Sequence, residues 1–157
     1  MISKNDFQVI RRKLHIILAE DDSDDRLLFK EAIEELPVSV QLNIFNNGDE
    51  LMEWLTTKKT KLPDALFLDL NMPRKNGFAT LAEIKRNTKL QNLPVIIFST
   101  TTNNDMIKQV FKDAAHYYIR KPVQFWELKQ LIYKSLRLIS DEEVALPGKE
   151  NFIITTD

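Results

Sequence analysis

The sequence predicts an α/β fold, a doubly wound parallel sheet of five strands with helices on both faces. Three observations predict it. Short apolar runs alternate with longer segments of helical period, five times over roughly 125 residues. The runs around Leu66-Phe67-Leu68 and Val95-Ile96-Ile97-Phe98 do not alternate with polar residues, which is the pattern of strands buried on both faces. At 157 residues, with 43% hydrophobic and 29% charged content, the chain suits one ordinary globular domain with short extensions.

The elements follow in order. Leu14-His15-Ile16-Ile17-Leu18-Ala19 is the first strand. Leu27, Leu28, Ala32, Ile33 and Leu36 then recur at helical spacing until Pro37 stops the helix. Val40 to Phe45 alternates, as a half-exposed strand does, and Asn46-Asn47-Gly48 makes a turn. Glu50 to Thr57 puts Leu51, Trp54 and Leu55 on one helical face. Ala65 to Leu70 is the third strand, and Gly77 to Asn87 the third helix, with Phe78, Leu81 and Ile84 on one side. Pro94 to Phe98 is the fourth strand, and Asn103 to Asp113 a helix carrying Ile107, Val110 and Phe111. Tyr117-Tyr118-Ile119 is the short fifth strand. Phe125 to Ile139 then shows Leu128, Leu131, Ile132, Leu136 and Ile139 at i, i+3, i+4 spacing. Right-handed crossovers and five such units favour the flavodoxin-like order 2-1-3-4-5. Residues 1–12 read as an N-terminal extension, helical through Phe7, Val9 and Ile10. Residues 13–138 read as the domain and 139–157 as a polar tail closing on Phe152-Ile153-Ile154.

Composition removes several function classes. The net charge is −1, with 22 basic against 23 acidic residues, so no basic excess points to nucleic acid. With no cysteine, disulfides, zinc–thiolate sites and thiol nucleophiles are excluded, which fits a reducing cytoplasm. Three glycines, at 48, 77 and 148, cannot build a glycine-rich phosphate loop. The apolar run after Arg11-Arg12-Lys13 is too short for a signal core or a membrane span.

In a doubly wound sheet, ligand chemistry lies at the carboxyl ends of the strands. Strand one ends in Glu20-Asp21-Asp22, strand three in Asp69, strand four in Ser99-Thr100-Thr101-Thr102, and strand five in Arg120-Lys121-Pro122. Three acids, a hydroxyl and a lysine therefore converge on one edge. Like charges at ~4 Å repel by about 4 kcal/mol at an effective dielectric near 20, so Glu20, Asp21 and Asp69 call for a cation. Magnesium suits a few carboxylates plus phosphate oxygens. Lys121 offers a point charge for a phosphoryl group, and Ser99 a hydrogen-bond donor. Asp24 and Asp25 read as first-turn acids that suit the helix dipole. Gly77 reads as structural, serving the turn and the start of the third helix. The Lys121–Pro122 peptide is open to either isomer, cis to aim the lysine or trans at a helix start.

Four motifs in this order and spacing resemble the receiver domain of two-component response regulators. They are Ile17-Leu18-Ala19-Glu20-Asp21-Asp22, Leu68-Asp69-Leu70-Asn71-Met72-Pro73 with Gly77, Pro94-Val95-Ile96-Ile97-Phe98-Ser99, and Tyr118-Ile119-Arg120-Lys121-Pro122. The resemblance implies a stand-alone phosphorylation switch rather than an enzyme acting on other substrates. It makes Asp69 the phospho-acceptor from a sensor histidine kinase or phosphotransfer protein. Glu20, Asp21, Asp69 and the backbone carbonyl of Asn71 would hold Mg2+, Ser99 and Lys121 would contact the phosphoryl oxygens, and Ser99 with Tyr118 would form the switch. Output would pass to a protein partner through the fourth helix, fifth strand and fifth helix. Direct DNA binding and membrane insertion are not expected, and a homodimer is compatible. Ala114 stands where many receivers have glycine, and Thr100 where a smaller residue is common. Two rivals remain. One is a haloacid-dehalogenase-like phosphatase, which would need an aspartate where Asn71 stands. The other is a pseudo-receiver, an interaction module that is not phosphorylated.

Overall fold

A computed structural model describes residues 10, 12–57, 61–140 and 145–156. Strands β1 (Leu14–Ala19), β2 (Val40–Phe45), β3 (Ala65–Leu68), β4 (Val95–Ser99) and β5 (Tyr117–Arg120) form one sheet in the order β2-β1-β3-β4-β5. Every pairing is parallel. Helices α1 (Ser23–Glu34), α2 (Gly48–Thr57), α3 (Gly77–Arg86), α4 (Asn104–Lys112) and α5 (Phe125–Ile139) connect and follow the strands. The predicted fold class and strand order are thus observed, with element ends differing by one or two residues. The third strand stops at Leu68, so Asp69 stands just beyond it.

Side chains alternate along each strand and feed two cores. Leu14, Ile16, Leu18, Phe67, Ile96 and Ile119 pack with α1 and α5 on one face. Ile17, Leu66, Leu68, Val95, Ile97 and Tyr118 pack with α2, α3 and α4 on the other. The central strands β1, β3 and β4 are buried almost throughout, whereas edge strand β2 is half-buried, as its alternation predicts. The local signals act as expected. Asp22 caps α1, its Oδ1 accepting the N–H groups of Asp24 and Asp25 at 2.9 Å each. Asn76 and Asn103 cap α3 and α4 in the same way.

Phe7 and Val9 lie outside the described residues, but Ile10 is buried against the α1–α5 core. The tail is not simply solvated. Phe152 and Ile154 are buried, and Ile153 pairs in parallel with Tyr118, extending the sheet beyond β5. Among the described residues no helix is long and apolar enough to cross a membrane.

Candidate functional site

The sheet register brings the strand ends together. Ala19 pairs with Leu68, and the N–H of Asp69 donates to the Ala19 carbonyl at 3.0 Å. Glu20 and Asp69 are therefore neighbours one step past β1 and β3. Carboxylate oxygens of Glu20, Asp21 and Asp69 lie within 4.8 Å of one another. Glu20 and Asp69 are buried, while Asp21 faces solvent. Lys121 enters from the end of β5, its N–H bonded to the Ser99 carbonyl at 2.8 Å. Its Nζ lies 2.5 Å from Glu20 Oε1, 2.9 Å from Asp25 Oδ2 and 3.6 Å from Asp69 Oδ2. The Phe98 ring floors this cation, 5.3 Å from its centroid.

Gly77 has a definite steric reason. Its N–H donates to the Leu70 carbonyl at 3.0 Å, and a Cβ built there would stand 2.2 Å from the Asp69 carbonyl oxygen. The start of α3 can close against the β3 turn only without a side chain. Asn71 is exposed and lines a shallow pocket with Asp21 and Met72. Its N–H lies 3.4 Å from Asp69 Oδ1. The Lys121–Pro122 peptide is trans, which resolves the open choice. Ser99, the last residue of β4, is fully buried, and its Oγ accepts the Thr101 N–H at 3.2 Å. Tyr118 is only 1% exposed, and its hydroxyl donates to the Thr101 carbonyl at 2.9 Å.

Electrostatics fit a cation. Burial raises the Glu20 carboxyl from 4.5 to about 8; Lys121 opposes this, and the neighbouring Asp69 adds to it. The short Lys121–Glu20 contact alone would suggest an ordinary ion pair. Burial outweighs Lys121 instead, and the protonated form of Glu20 is favoured. Burial would lower the Lys121 ammonium, but its hydrogen bonds to Glu20 and Asp25 and the nearby Asp69 charge raise it, so it stays charged. The donor set is all oxygen, partly buried and short of positive charge, and these residues fit Mg2+.

Two participants were not read from the sequence. Asp25 is more than a first-turn acid, since it shares Lys121 with Glu20. No local pattern carries that signal, because Lys121 lies 96 residues further along the chain. Thr101 acts through its backbone, which residue identity does not reveal.

Residues 16–133 match the family described as the response regulator receiver domain. The chain is 29% identical over 137 residues to response regulator Rcp1 of Synechocystis sp. strain PCC 6803, covering 85% of this chain and 92% of Rcp1. It is similar to the crystal structure of the phosphorylated cyanobacterial phytochrome response regulator RcpA, at 30% identity and a TM-score of 0.76, covering 87% of this chain and 100% of that one. It is similar also to the Mn2+-bound form of Rcp1, at 28% identity and a TM-score of 0.71, over 86% of this chain and 99% of that one.

Proposed function

This chain belongs to the response regulator receiver domain family, and we propose from that premise that it is a phosphorylation-dependent signalling switch whose phospho-acceptor is Asp69. The observation that carries the reading is the meeting of Asp69 with Glu20, Asp21 and Lys121 at the carboxyl edge. Receiver body 13–138 does this work, with 1–12 and 139–157 as its flanks.

In the transfer, an Asp69 carboxylate oxygen bonds to phosphorus as the P–N bond of a donor phosphohistidine breaks. The electron pair of that bond returns to the imidazole nitrogen. The protein's part is positioning and charge neutralisation. The Asp69–Ala19 backbone bond and the tight approach of Gly77 fix the carboxylate. Lys121, charged and 3.6 Å from Asp69 Oδ2, neutralises incoming oxygens, and Ser99 donates to one of them. Glu20, Asp21, Asp69 and the Asn71 carbonyl would hold Mg2+, which offsets the negative charge of the phosphoryl group when bound. Pro122 keeps Lys121 at the head of the α5 approach. Ser99 and Tyr118 carry the response to α4, β5 and α5, where a protein partner reads it. The donor is a histidine kinase or phosphotransfer protein. RcpA is a phytochrome response regulator, so a phytochrome-type kinase is the donor class to try first.

Intact-mass measurement after incubation with acetyl phosphate and Mg2+ tests the reading. The native chain should gain one phosphoryl group and Asp69→Ala none. A native chain that gains nothing, from acetyl phosphate or from any purified kinase, would mark a pseudo-receiver.

A further inference from the structure

The residues after α5 do something the receiver chemistry does not require. Tyr118 N–H donates to the Phe152 carbonyl and Ile154 N–H donates to the Tyr118 carbonyl, each at 2.9 Å. Both backbone groups of the switch tyrosine on its open side are thus held by the tail. The Phe152 ring is buried 5.1 Å from Phe111 and 6.2 Å from the Tyr118 ring, measured between centroids. Phe152 joins the α2–α4 core and Ile154 the α1–α5 core, so the tail closes the sheet edge on both faces. Lys134 of α5 adds a 2.7 Å hydrogen bond to the Thr155 carbonyl. A cleft of about 510 Å³ runs from this tail to the site loops, lined by Ile153, Tyr118, Thr101 and Lys121 among others.

We propose that the tail segment 152–154 is a positioning element for the switch, coupled to Asp69 phosphorylation so that each strengthens the other. This rests on the phospho-acceptor reading above. The connection is a chain of contacts. Ser99 Oγ accepts the Thr101 N–H, the Thr101 carbonyl accepts the Tyr118 hydroxyl, and the Tyr118 ring packs on Phe152. When Ser99 turns its proton toward a phosphoryl oxygen, its lone pairs still accept from Thr101. The loop then stays closed with Tyr118 beneath it. Phe152 fills the space beside that same buried ring position. A phosphoryl group and a docked tail therefore favour one conformation of Tyr118, and the coupling between them is reciprocal by linkage.

Hydrogen exchange resolved by residue reads this directly, because the Tyr118 and Ile154 amides report tail docking. With Mg2+ and beryllofluoride as the phosphoryl mimic, both amides of the full chain should exchange about fivefold or more slowly, the low end of common allosteric couplings. Reciprocally, Phe152→Ala should weaken beryllofluoride binding by the same factor, while Leu146→Ala, at an exposed tail position, should not. The wild-type exchange measurement stands even if Phe152→Ala folds poorly. Unchanged or faster exchange at both amides, with beryllofluoride bound at Asp69, overturns the coupling and leaves the phospho-acceptor reading intact. Absence of any beryllofluoride binding removes that reading, and the coupling with it.

Discussion

The two ends of the same sheet treat buried polar groups in opposite ways. At the amino end, buried His116 and half-buried Asp64 each have their own partners. His116 Nδ1 accepts the Val95 N–H at 3.2 Å while its own N–H donates to the Val95 carbonyl at 2.8 Å. Asp64 takes the His15 N–H at 2.7 Å and Arg12 at 2.9 Å. At the carboxyl end, Glu20, Asp25 and Asp69 share one lysine. Buried polar groups that are all satisfied fix a structure, whereas a surplus of charge is kept at a cost and favours a ligand that relieves it. The contrast separates framework from site without reference to any relative.

Acid–base titration is the sharpest way to break that contrast, because the two ends should respond with opposite signs. Glu20 titrates near 8 in the fold against 4.5 for an ordinary glutamate, chiefly through burial. The metal-free fold keeps a proton that the unfolded chain releases. Its contribution is complete below about 4.5 and is lost as pH rises to about 8. The loss is on the order of 5 kcal/mol, at ~1.4 kcal/mol per unit. Denaturant midpoints with chelator present should fall across that window, and Glu20→Gln or saturating Mg2+ should flatten the fall. A metal-free midpoint that stays level up to pH 8 would remove the charge surplus from the account.

His116 should do the reverse, with a somewhat smaller effect. Burial, aided by the Lys85 charge, lowers it from 6.5 to about 4. The unfolded chain binds the proton first, so this contribution is full above about 6.5 and is lost as pH falls to about 4. The size is about 3 kcal/mol. His116→Gln, whose carbonyl can still accept the Val95 N–H, should be less acid-sensitive in the same midpoint series. Mg2+ should not alter this limb.

The amino end was nearly silent in the sequence, and the carboxyl end was largely legible. Strands and helices could be read because burial on one or two faces imposes periods of two or 3.6 on the side chains. Strand order followed from crossover handedness, and strand order placed Glu20, Asp69, Ser99 and Lys121 at one edge. Asp25 is the first-turn acid the sequence predicts, but its tie to Lys121 was not legible, because that partner lies 96 residues away, a separation no local pattern encodes. The tail reads as polar because charged and polar residues fill most of it, and its apolar triplet Phe152-Ile153-Ile154 has no helical or strand period to place it. The tie to Tyr118 is made by backbone groups, which every residue carries. Gly77 was read as structural, and only the built fold gives the reason, the missing room beside the Asp69 carbonyl.

The smallest effect concerns backbone strain, which also differs between the two ends. Arg74, in the β3–α3 turn at the carboxyl end, has φ 65°, and Ala114, before β5 at the amino end, has φ 67°. Residues with a Cβ pay about 1–2 kcal/mol in this left-handed region. Arg74 recovers part of that through its contact with Asp49, 3.4 Å from its Nε. Ala114 offers only a methyl group, at a position where many receivers carry glycine. Ala114→Gly should relieve the strain but loosen the unfolded chain, for a net gain of about 0.5–1 kcal/mol. In a chain of this size that is a rise of roughly 2 °C in Tm. Arg74→Gly should gain less, because it surrenders the Asp49 contact along with the strain. Equal gains at both positions would mean that the Arg74 side chain contributes nothing, and that strain alone sets the value of each turn.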